Sequence, residues 1–133
     1  MKHRVIQTFL ALAISISSVG QRIYTPSTEN GDKDFDNIYS ELIFSDSLTS
    51  SFLIIVKKEV KLHKHAHHSE HVYVLEGSGD MILGQDNISI TKGDLIIIPK
   101  NTIHSLIVTS INPVKILSFQ SPEFSGNDRV YIE

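Results

Sequence analysis

Residues 63–77 read HKHAHHSEHVYVLEG and hold five of the chain's seven histidines within nine positions. The stretch changes character half-way. Its first part is polar and crowded with imidazoles. From Glu70 it alternates as a half-buried strand does, with Glu70, Val72 and Val74 on one face and His71, Tyr73 and Leu75 on the other. By the same rule His63 and His65, two apart, share a face. A metal site, a solvated histidine tract or metal-free acid–base chemistry would each explain the crowding.

The segments on either side supply a frame for it. NIYSELIF, SFLIIVKKEVKLH, EHVYVLEG, GDMILG, NISIT, DLIIIP, HSLIVT and VKILSFQ are short β-rich runs, about eight strands. EGSGD, GQDN, TKGD, PKNT and SINP separate most of them with turn residues. Gly77 and Gly79 can supply positive φ for a tight hairpin. Asp80 and Asp94, each after a glycine, are expected to close turns on backbone amides. DLIIIP reads as a buried strand ended by Pro99. No stretch after residue 20 keeps a helical period, so an antiparallel β-sandwich or barrel is expected.

At 133 residues, with 41% apolar and 20% charged residues, the chain suits one globular domain. A net charge of -3 and a pI near 6.1 argue against a nucleic-acid partner, which needs a basic stripe. The absence of cysteine excludes disulfides, thiolate metal sites and a thiol nucleophile.

The N-terminus suggests export. MKHR is a basic start, and VIQTFLALAISISSV is an apolar run too short and serine-rich for a comfortable membrane span. Residues 1–20 therefore read as a signal peptide cleaved near Gly20/Gln21, giving a periplasmic or secreted protein with no stable membrane span after cleavage; an uncleaved N-terminal anchor and a cytosolic first helix are the alternatives. Residues 21–34, with Pro26 and Gly31, read as a flexible lead-in, and 35–133 as the domain.

Strand parity makes one constellation possible. His63 and His65 come from one strand, Glu70 from the start of the next, and His104 from a later one whose face it shares with Leu106 and Val108. Three imidazoles and a carboxylate converging inside a barrel suit a divalent ion, which needs donors within about 2 Å of one point. Iron, manganese, nickel, zinc, cobalt and copper all accept such a set, one ion per chain. Val72, Val74, Leu106 and Val108 would line the pocket beside it. The pair His65 and His67 could supply the imidazoles instead, and His68 could swing in as a substitute ligand. Otherwise His67 and His68 are expected in a solvated loop, with His71 and Tyr73 facing away from the site.

These residues resemble the cupin superfamily, specifically its small single-domain members. The first cupin motif, G-x5-H-x-H-x(3,4)-E-x6-G, is met by His63, His65, Glu70 and Gly77, with Lys57 in place of the leading glycine. The second, G-x5-P-x-G-x2-H-x3-N, is met by Gly93, Pro99 and His104, with Asn101 and Val108 in place of the inner glycine and the asparagine. Asn101 can replace glycine because asparagine tolerates left-handed φ. The resemblance implies an all-β jelly-roll barrel, or double-stranded β-helix, with a divalent metal in its mouth and frequent homodimers. It does not imply one reaction. Some cupin lyases acting on sulfonium substrates use a tyrosine two residues after the glutamate. Val72 stands there, which counts against that chemistry.

Two main expectations follow. One is an exported metal-binding cupin that acts on a small polar molecule by dioxygenase, isomerase or lyase chemistry, with no catalytic residue assignable beyond the ligands. The other is a non-catalytic module binding a sugar or other small ligand. A periplasmic metal-handling role is a lesser alternative to both. The tail from Pro122 could fold over the barrel, pair with a partner subunit or remain disordered.

Overall fold

In the computed structural model, residues 23–26 and 34–133 are described. The expected signal peptide and most of the lead-in lie outside them.

Ten strands form among the described residues: β1 (Ile38–Ser45), β2 (Ser50–Val56), β3 (Glu59–His65), β4 (Ser69–Glu76), β5 (Ser78–Leu83), β6 (Asp86–Thr91), β7 (Leu95–Ile98), β8 (His104–Val108), β9 (Val114–Ser121) and β10 (Arg129–Tyr131). They build two antiparallel five-stranded sheets, in the orders β1-β2-β9-β4-β7 and β10-β3-β8-β5-β6. This is the double-stranded β-helix, the expected all-β barrel architecture. No helix among the described residues is long and apolar enough to cross a membrane.

The two sheets meet over a core of Val56, Val72, Val74, Met81, Ile90, Ile96, Ile98, Leu106, Val114 and Ile116. Each contributes one face of a strand, so period-two alternation drives burial. β7 shows the same rule where the sequence suggested a buried strand. Ile96 and Ile98 are buried, but Leu95 and Ile97 are 58% and 48% exposed, because β7 is an edge strand with one face outward.

Two strands were not separate in the sequence reading. The run 51–63 breaks at Lys57–Lys58, without glycine or proline, because Asn37 builds the turn. Its backbone carbonyl accepts Lys57 N, and its Oδ1 accepts the amides of Lys58 and Glu59. β10 is the other addition. The tail leaves β9 through a cis Ser121–Pro122 bond and returns to pair β10 with β3, Arg129 opposite His65 and Tyr131 opposite His63.

The turns rest on distinct physics. Gly77 and Gly93 adopt positive φ, as does Asn101 at 64°. Asn101 N donates to His65 O at 2.7 Å, tying the turn before β8 to the end of β3. Gly79 lacks positive φ and is needed for closeness instead, since a Cβ there would lie 2.6 Å from both Ile107 O and Leu106 Cδ1. Asp94 closes its turn through Thr91 N, whereas Asp80 accepts from Ser89 Oγ across the β5–β6 pair.

Candidate metal centre

β3, β4 and β8 bring His63, His65, Glu70 and His104 together at one end of the barrel. His63 pairs with His104 in the β3–β8 ladder, and their rings lie 4.2 Å apart. The His65 ring is 4.9 Å from His63 and 5.2 Å from His104. Candidate ligand atoms of these three imidazoles lie within 4.8 Å of one another. Glu70 reaches in from β4, its Oε2 3.2 Å from His65 Nε2 and 3.5 Å from His104 Nε2. All four side chains are at least nine-tenths buried.

Hydrogen bonds outside the cluster fix how each group faces it. His63 Nδ1 donates to Lys61 O at 2.8 Å and His104 Nδ1 to Thr102 O at 3.0 Å. A neutral imidazole that donates from Nδ1 presents a lone pair at Nε2. Glu70 Oε1 accepts from Ser118 Oγ at 2.5 Å and from Gln120 Nε2 at 3.5 Å, which turns Oε2 toward the histidines.

Electrostatics favour a neutral His63 beside an ionised Glu70. Burial, reinforced by repulsion from His104, lowers the His63 pKa from 6.5 to about 4. Burial alone would raise Glu70, but hydrogen bonds with His104, His65 and Ser118 outweigh it and hold the carboxyl well below its ordinary range. His104 can donate to Glu70 only by carrying a second proton as imidazolium, because its Nδ1 proton is already committed. In neutral form, lone pairs of His104 and Glu70 face one another. A divalent cation between them resolves that contact, and the donor set fits one.

A cavity of about 310 Å³ opens beside the cluster. His63, Glu70 and His104 form its polar end, Val72, Met81, Ile98 and Leu106 are among its apolar walls, and Arg129 stands at its rim. Of the four pocket residues expected, Val72 and Leu106 line this cavity. Val74 and Val108 do not. Val74 packs within the core and Val108 against it, opposite Gly79, further from the ligands.

The surrounding histidines divide unexpectedly. His67 and His71 are exposed, but His68 is 1% exposed rather than solvated. Residues 66–68 are drawn inward by Asp128, whose carbonyl accepts Ala66 N and whose Oδ1 accepts His67 N at 2.8 Å. Asp128 Oδ2 is in direct contact with His68 Nδ1. Phe124 stacks edge-on against His68, with centroids 5.7 Å apart. Nothing in the sequence marked Asp128, which lies in a polar tail and has its partners about sixty positions earlier. Tyr73 is 40% exposed on the outer face.

The family model described as cupin domain matches residues 52–119. An uncharacterized protein of Methanocaldococcus jannaschii is 35% identical over 97 residues, spanning 73% of this chain and 75% of that protein. A mannose-1-phosphate guanylyltransferase of Salmonella typhimurium is 32% identical over 66 residues, half of this chain but only 14% of the transferase. Among solved structures, a Klebsiella pneumoniae protein with a double-stranded β-helix domain superposes with a TM-score of 0.72 at 17% identity, covering 86% of this chain and 99% of that one.

Proposed function

The chain belongs to the cupin family, and from that premise we propose that it holds a divalent metal ion on His63, His65, Glu70 and His104 to capture a small organic anion. The observation that carries this reading is the convergence of buried lone pairs from His104 Nε2 and Glu70 Oε2, each held in place by a hydrogen bond on its far side. A bound divalent ion would supply Lewis acidity toward an oxygen atom of the ligand.

The chain's own residues set what that ligand is. Val72, Met81, Ile98 and Leu106 offer an apolar wall that excludes water and strengthens charge interactions at the polar end. Arg129, on β10 opposite His65, offers a guanidinium at the rim and lies close enough to disfavour protonation of His63. A short apolar body with a carboxylate or similar anionic group fits this division. Beyond the ligand set, the described residues of the cavity wall include Arg129 and hydroxyls such as Ser40 and Ser105, and among them there is no other carboxylate or imidazole. That supports binding, or chemistry centred on the metal, over proton transfer by a separate base.

The test begins with metal content of the untagged full chain. Metal that is retained by the unaltered chain and lost on Glu70→Gln or His104→Ala is expected, and no uptake of any divalent ion would overturn the reading. Small carboxylates should then raise the Tm of the loaded protein, and Arg129→Gln should raise the carboxylate concentration needed for the same shift about tenfold while leaving the metal in place. We extend the proposal to a homodimer, since Tyr73, Leu95, Ile97 and Phe119 are each at least 40% exposed on the outer face of the first sheet. Light scattering checks it. Export to the periplasm or beyond is likewise proposed from the N-terminal segment, and the mass of the mature chain tests cleavage near Gly20.

A further inference from the structure

His68 and Asp128 are buried, polar and outside the four-ligand set. We propose that His65, His68 and Asp128 hold a second divalent ion, with His65 shared between the two positions. The inference rests on the first centre for that shared ligand.

Geometry and unmet bonding point the same way. Ligand atoms of His65, His68 and Asp128 lie within 4.8 Å of one another, and the residues are 2%, 1% and 2% exposed. The His65 and His68 rings are 4.2 Å apart. Nδ1 of His65 and Nε2 of His68 are buried without any hydrogen-bond partner. His68 Nδ1 and Asp128 Oδ2 lie in direct contact, which leaves His68 Nε2 unmet. Groups like these are rarely left unmet in a folded interior. Asp128 is also oriented as a ligand is, one oxygen anchored by His67 N and the other presented to the histidines.

His65 differs from its neighbours in a way that permits sharing. His63 and His104 have committed Nδ1 to backbone carbonyls, whereas His65 has not. Its Nε2 faces Glu70 at 3.2 Å, which leaves Nδ1 for the second ion. Ligation through both nitrogens forms two metal–nitrogen bonds, breaks the remaining N–H bond and releases that proton to solvent. Two dications would then face three negative charges, from Glu70, Asp128 and the imidazolate, leaving one residual positive charge. Two imidazole nitrogens with one carboxylate suit zinc or copper.

The experiment is a zinc titration of the untagged, chelator-stripped full chain, with bound metal counted after gel filtration and located by anomalous diffraction at the zinc edge. About two equivalents are expected, with one peak on either side of the His65 ring. Asp128→Asn, which can keep the acceptor for His67 N, should leave about one. His68→Gln gives a second variant should the first fail to fold. A ceiling of one equivalent that disappears with Glu70→Gln would sink the second position and spare the first. Two equivalents that survive both Asp128→Asn and His68→Gln would sink it as well. No zinc bound at all would remove both readings.

Discussion

Ser118 Oγ donates to Glu70 Oε1 at 2.5 Å from the neighbouring strand of the same sheet, and both residues are buried. The bond fixes which carboxylate oxygen faces the histidines. Ser118→Ala should therefore weaken zinc binding by about 10- to 100-fold, the usual effect of losing a partner behind a metal ligand. Competition with a chromogenic chelator measures this, and unchanged affinity would show that Glu70 is oriented by other contacts.

The histidines should separate by burial. Replacing His63 and His65 together with alanine should abolish zinc at the four-ligand centre, whereas replacing the exposed His67 and His71 should leave it. Equal loss from both pairs would mean that the ligand pair is misassigned.

Acid should destabilise the metal-free protein. The fold favours neutral His63, so the unfolded chain binds more protons between pH 6.5 and about 4. Stability is full above that window and falls as pH drops through it, by roughly 3 kcal/mol from this group. Urea unfolding at stepped pH reads the effect, and His63→Gln should flatten that part of the curve.

Two glycines should fail for different reasons. At Gly79 a methyl group meets the Ile107 carbonyl oxygen at 2.6 Å, so Gly79→Ala must push β5 from β8 and should cost about 3 kcal/mol or more. At Gly93 nothing lies within 4 Å, but φ is +96°, so Gly93→Ala should cost about 1–2 kcal/mol through backbone strain alone. Thermal unfolding of the two variants should rank them in that order.

What the sequence made legible was local or periodic. Alternation placed Glu70 and Val72 on one face, and motif spacing brought His63, His65 and His104 to a common end of the barrel. Asn101 adopts the left-handed φ that its place in the second motif required. What escaped depended on distant partners. The break at Lys57–Lys58 is written in Asn37, about twenty residues earlier, rather than in the turn itself. The burial of His68 is decided by Asp128, and a histidine beside other histidines carries no local sign of being covered.

The pairing of β10 with β3 also orders events in time. Synthesis delivers β3 long before residues 129–131, so the strand bearing His63 and His65 first exists with one edge open. Until then the edge that Arg129, Val130 and Tyr131 pair with stays uncovered. That end of the barrel is therefore completed only when the tail folds back, and the histidine strand depends for its second neighbour on residues more than sixty positions away.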